Sequence, residues 1–125
     1  MRKFPLDRLL LATMLLMALG ACTSPATRIT QALRYGPTEL PPQGFHQRCH
    51  MLLATQRLNF EFQAEPALAF VIEYRQGDMA LQPLRFDPSL GETGRFLPET
   101  DREYCLRWEN LGPTPAQLRY QLSTQ

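Results

Sequence analysis

From Phe45 onward apolar residues recur at every second position, a period that restricts this part of the chain to strands. Leu58, Phe60 and Phe62 alternate with Asn59, Glu61 and Gln63, which predicts a strand with one face buried. Ala67–Arg75 places Leu68, Phe70, Ile72 and Tyr74 on one side and Ala69, Val71 and Glu73 on the other. So many β-branched and aromatic residues suit a central strand. Arg102–Asn110 opposes Tyr104, Leu106 and Trp108 to Cys105, Arg107 and Glu109. Ala116, Leu118, Tyr120 and Leu122 then alternate with Gln117, Arg119 and Gln121 in a last strand. The first strand alternates Cys49, Met51 and Leu53 with His50, Leu52 and Ala54. Met79–Phe86 is a further strand, pushed towards an edge or bulge by Pro83, and 94–97 a short one.

The intervals carry turn chemistry. Glu65-Pro66 breaks the pattern, Gln76-Gly77-Asp78 is a turn, and Asp87-Pro88-Ser89 and Gly91-Glu92-Thr93-Gly94 read as loop. Gly112-Pro113-Thr114-Pro115 is another turn. No convincing helix, repeat or low-complexity tract interrupts them. The expected fold is all-β: a small antiparallel β-sandwich of about six to seven strands over residues 45–125.

The N-terminus has a different character. Arg2, Lys3 and Arg8 precede an apolar run, Leu9–Leu19, broken only by Thr13. That run is too short to span a bilayer and fits a secretory signal. Its closing residues, Leu19-Gly20-Ala21-Cys22, resemble the lipobox of bacterial lipoprotein precursors. The resemblance implies a signal peptide over 1–21, removed after Ala21, and a diacylglyceryl group on the Cys22 sulfur. A thiol suits that step because its thiolate is a good nucleophile. Each buried methylene contributes about 0.8 kcal/mol, so two or three acyl chains anchor stably. The alternative is an ordinary signal peptide that happens to have Cys at its first mature position. Thr23 and Ser24 follow with no Asp beside Cys22, which by the family's sorting rule implies the outer membrane, on its periplasmic side. Residues 22–44 then read as the lipidated N-terminus and a tether containing Pro25, Pro37, Pro41 and Pro42. Within it Ala26–Tyr35 predicts one or two helical turns, with Ile29 and Leu33 at i,i+4 spacing.

Charge excludes one class of partner. Arg2, Lys3, Arg8 and Asp7 leave with the signal, so ten Arg, no Lys and eleven acids remain, a formal charge near −1. They are scattered, and no nucleic-acid groove is implied. Two cysteines remain beside Cys22, namely Cys49 and Cys105. In an oxidising compartment an even pair suggests a disulfide, worth roughly 4 kcal/mol in the loop-entropy model; two buried free thiols are the alternative.

Several of these features together resemble the Golgi-dynamics (GOLD) domain, a small β-sandwich. They are Cys49 on the first strand, the Leu58-Phe60-Phe62 and Leu68–Ile72 strands, and the closing run Tyr104–Asn110 followed by one more strand. The resemblance implies a bridge between Cys49 and Cys105 and a habit of binding proteins. It covers about 75 residues, roughly residues 49–122. The bacterial anchor sets the chain apart from the membrane-trafficking members, so cargo transport does not carry over. If Cys105 bridges to Cys49, either the bond lies on the outer side or rim of the sheet, away from Tyr104, Leu106 and Trp108, or the faces are reversed; two aromatics and a Leu outweigh one Cys and favour the first.

Catalytic chemistry finds little material. His46, Cys49 and His50, with Met51 nearby, are the one cluster of metal-ligand types. On a strand, however, the two histidines share a face and Cys49 points to the other. His-x-x-Cys-His also lacks the first Cys of a haem-attachment motif. Glu103 and Glu109 are some 20 Å apart along a strand, too far for one acid/base site. Trp108 and Tyr104 read as core, Arg107 and Arg119 as solvated. No catalytic residue, cofactor or metal site is assigned. The expected role is non-catalytic: binding or scaffolding of an envelope protein through a sheet face or an edge strand. The alternative is periplasmic metal handling or redox work by His46 and His50.

Overall fold

The computed structural model describes residues 32–125. They form six strands: β1 (Leu33–Leu40), β2 (Phe45–Leu52), β3 (Leu58–Gln76), β4 (Met79–Phe96), β5 (Arg102–Glu109) and β6 (Ala116–Thr124). Every pairing is antiparallel. β3 is the spine. Along one side it carries β4 from end to end, joined by a two-residue turn in which Gly77 has φ +62°, as a type II′ hairpin requires. Along its other side β3 changes partner: Leu58–Glu65 pairs with β6, Ala69–Glu73 with β5. The hairpin therefore belongs to two four-stranded halves, β1-β6-β3-β4 and β2-β5-β3-β4, which fold face to face as a sandwich.

The fold class expected from the alternation is the one observed. Two boundaries differ. Leu58–Gln63 and Ala67–Arg75 are not separate strands, because β3 runs on through Pro66. Asp87–Gly94 is not loop either, since β4 continues through it. The β3–β4 register shifts between Gln63 and Leu68, so Pro66 falls where the ladder is already interrupted and its missing N–H is not needed. Gly91 and Gly94 serve close approach rather than a turn. A Cβ on Gly91 would lie 2.7 Å from the Phe62 carbonyl oxygen, and one on Gly94 2.6 Å from the Phe60 ring.

The domain also starts earlier than position 45. Leu33–Leu40, read from sequence as tether and in part as helical turn, pairs with β6 from Leu33↔Leu122 to Leu40↔Ala116. Gly36 and Pro37 form a bulge in that strand rather than ending it; Gly36 has φ +106° and lies against Leu118. Residues 26–31, the rest of the expected helical turns, lie outside the described residues.

The core is the predicted set of inward faces. Leu58, Phe60, Phe62, Leu118, Tyr120 and Leu122 come from one half; Leu68, Phe70, Ile72, Tyr104, Leu106 and Trp108 come from the other. Phe60 meets Phe70 at 5.0 Å and Phe62 meets Trp108 edge-on at 6.3 Å, so the aromatics interlock between the sheets. Among the described residues Asn110 is the one buried polar side chain. Its amide nitrogen donates to Leu40 O, Pro41 O and Thr114 O, and its oxygen accepts from Gly112 N. It ties the β1–β2 turn to the β5–β6 loop, with each polar atom satisfied.

Candidate binding edge

Cys22, the expected signal peptide and the expected tether up to residue 31 lie outside the described residues. Cys49 and Cys105 are opposite one another on β2 and β5 and form a disulfide, with S–S 2.05 Å and Cα–Cα 4.0 Å. Cys49 is exposed while Tyr104, Leu106 and Trp108 are buried, so the bond lies on the outer face, the alternative that the alternation favours.

The short Cα–Cα distance also fixes the phase of the ladder. Directly opposed residues come this close only in non-hydrogen-bonded pairs. Cys49 therefore turns its N–H and C=O away from β5, and Gln47 and Met51 do the same by period two. The Asn110 N–H donates to Gly44 O at 2.8 Å, which continues the ladder in that phase. Among the described residues no strand flanks β2 on its other side, so these backbone groups face outward.

The described residues offer three free strand edges, and two are blunted. β1 carries the Gly36-Pro37 bulge; β4 carries Pro83, Asp87 and Pro88. β2 has neither proline nor bulge and pairs with β5 in eight unbroken steps. Phe45 and Met51, on its outer side, are more than half exposed. An edge with those properties is a template for another strand.

The inner side of β2 presents His46, Arg48, His50 and Leu52, opposite Trp108, Leu106, Tyr104 and Arg102. Both histidines are half-buried. Tyr120 Oη joins β6 to β2. It lies 2.9 Å from His46 Nε2 and accepts from Arg48 Nε at 3.1 Å. The Arg48 guanidinium also sits 4.5 Å over the Tyr35 ring of β1, and Tyr35 stacks on Tyr120 at 4.8 Å. Burial, assisted by the Arg48 charge, pushes His46 and His50 below the usual histidine range. Burial raises the Tyr120 hydroxyl. A neutral His46 accepting from Tyr120, which accepts from Arg48, satisfies every contact. Arg48 and Tyr120 were not singled out from sequence, although Leu52 marks the even positions of β2 as its inner side.

Below His50 a small cavity of about 220 Å³ is walled by Leu52, Leu58, Leu122 and Thr124. It is smaller than a cofactor site and of a size for one side chain. Two larger clefts, of about 480 and 530 Å³, lie open on the outer face of the other half, among Arg34, Glu61, Gln63, Arg119 and Gln121. Both are open to solvent.

The remaining candidates are structural. Glu109 lies 3.2 Å from Arg107 Nε, and Arg107 covers the Phe45 ring at 4.0 Å, so Arg107 is not simply solvated. Asp101 accepts from the Ala54 N–H at 2.7 Å. Among the described residues Cys49, Glu103 and Cys105 are the one group close enough to share an ion, and both sulfurs are in the disulfide. Neither histidine is brought to a third ligand, and Arg48 stands between them.

No protein-family model matches the chain, and no curated protein matches it. Among solved structures, a de novo designed double-stranded β-helix determined by solution NMR is 21% identical. The match covers 75% of this chain and 100% of that one, with a TM-score of 0.44.

Proposed function

We propose that this protein is an outer-membrane lipoprotein, anchored through Cys22 on the periplasmic side, whose β-sandwich binds an envelope protein by accepting an extended segment along β2. The observation that carries the reading is the one described edge that has neither proline nor bulge. Backbone groups of Gln47, Cys49 and Met51 point outward on a strand held straight by an unbroken ladder and a disulfide, while both other edges carry prolines. Main-chain pairing of this kind supplies affinity without catalytic groups. Binding is favoured over a reaction because, of the carboxylates beside β2 among the described residues, Asp101 and Glu109 are engaged by Ala54 and Arg107, and Glu103 has beside it only the two sulfurs already bonded to each other. Metal handling by His46 and His50 gains no support from a geometry that puts a guanidinium between them.

Gln47→Pro tests the edge directly. It deletes an outward N–H and leaves the β2–β5 ladder untouched, so the domain stays folded while strand addition is blocked. A photo-crosslinker at Met51 should trap an envelope protein, one at Leu90 on β4 should not, and Gln47→Pro should abolish the Met51 product. Equal crosslinking from both edges, or a Met51 product indifferent to Gln47→Pro, would show that β2 is not the binding edge.

A further inference from the structure

The side chains flanking the β2 edge specify what kind of segment pairs with it; this step rests on the reading above. Along the inner side of β2, Arg48 is the one fully charged group and no acid accompanies it. Its guanidinium is held in place by Tyr120 and Tyr35, yet it is exposed to solvent. Two inner positions further along is Leu52, at the wall of the small apolar cavity. That cavity opens where β1 has not yet begun. β1 starts at Leu33 opposite Leu122, so among the described residues nothing pairs with Ser123 and Thr124 on that side. The edge, the cation and the cavity thus lie on one open side of the sandwich.

We infer that the occupant is an extended segment of a partner protein that pairs antiparallel with β2, sets an acidic side chain against Arg48 and seats an apolar side chain in the cavity beside Leu52. Period two fixes the spacing. Residues pointing inward alternate with residues pointing out, so the apolar residue comes four positions before the acid. A residue between them, opposite His50, shares their face. The outward residues of the segment lie beside Phe45 and Met51, which are exposed and apolar.

A second copy of this chain fits the edge poorly. In the two-fold antiparallel pairs that overlap β2 most, Arg48 stands opposite His46, Arg48 or His50 of the copy, and no face-matched register gives it an acid on β2. A partner strand carrying an acid has no such conflict, and the edge selects for it electrostatically.

The test uses the full chain in detergent micelles and a fluorescein-labelled Thr/Val peptide carrying Leu and, four residues later, Glu. Two companion peptides replace Glu by Lys or Leu by Thr. The Leu/Glu peptide should bind about tenfold more tightly than the Lys peptide, and added salt should narrow the gap. Arg48→Glu should reverse that preference; Arg48→Gln, which removes the charge alone, should erase it. Thr124→Trp, which fills the cavity from its rim, should remove the advantage of Leu over Thr while leaving the choice of Glu over Lys. Glu and Lys peptides that bind equally, yet are both lost in Gln47→Pro, would overturn the acidic–apolar segment and leave the edge standing. Binding indifferent to Gln47→Pro, or no binding of any peptide, would overturn both. Self-association of the full chain that Gln47→Pro abolishes would assign the edge to a second copy instead.

Discussion

At the scale of single residues, the inner side of β2 is where polar groups have been built into the rim of an apolar sandwich. His46 and His50 are neutral there because burial and Arg48 both disfavour a second positive charge. Their folded pKa values lie below the unfolded value of 6.5, so the unfolded chain binds more protons. Stability from these groups is therefore fully present above pH 6.5, and it falls as the pH drops below 6.5 towards their folded values. A melting-temperature series across that range should decline, and the double variant His46→Gln, His50→Gln should decline less. A wild-type series that is flat or rises on acidification would contradict the assignment. This arrangement was partly legible. That the two histidines share a face followed from their spacing, but which face did not. Leu52 alone marks the even positions of β2 as inward, and three polar residues outvote one leucine in any hydropathy pattern. The link to Tyr120 was not legible at all, since it joins residues 74 apart across the opening between two sheets.

At the scale of elements, the alternation was legible wherever one face is apolar, and the boundaries were not where Gly and Pro lie within strands. The predicted faces of β3, β5 and β6 are the observed core. Proline and glycine are depleted from strands on average, so Pro66, Pro88, Gly91 and Gly94 read as breaks. In the folded chain the prolines lie near the bend of the long hairpin, and the glycines admit neighbours that a side chain would displace. For the same reason Gly36-Pro37 and Pro41-Pro42 disguised β1 as part of a tether. Gly94 gives this a measurable form. The Phe60 ring, a core side chain, occupies the space of the missing Cβ at 2.6 Å and packs onwards against Phe70. Gly94→Val puts a branched side chain, otherwise well suited to a strand, into that space. It should destabilise the domain by about 1–3 kcal/mol, the usual cost of overpacking. Urea denaturation would measure it. A neutral or stabilising Gly94→Val would mean that this stretch behaves as the loop its composition suggests rather than as the middle of β4.

At the scale of the whole molecule, the earlier start of the sheet changes how the proposed anchor works. With β1 beginning at Leu33, the chain between Cys22 and the sheet is half the length that a domain starting at Phe45 would leave. At no more than about 3.6 Å per residue it reaches roughly 40 Å. A domain on so short a leash presents its β2 edge close to the membrane that holds its lipid, and the choice of membrane decides which proteins it can meet. The anchor and the edge are therefore linked, and one substitution tests the link. Cys22→Ser should first establish the anchor: it should abolish acyl labelling and leave the precursor uncleaved by the lipoprotein-specific peptidase. Thr23→Asp then keeps the lipid but, by the sorting rule that the lipobox resemblance implies, sends the protein to the inner membrane. The β-domain of this variant should melt at the wild-type temperature, because position 23 lies well before the first strand. If the partner resides at the outer membrane, the Met51 crosslink should nonetheless be lost. A wild-type protein recovered chiefly from the inner membrane would refute the proposed location. A Thr23→Asp protein that moves inward yet keeps its crosslink would place the partner elsewhere in the envelope, within reach of either membrane.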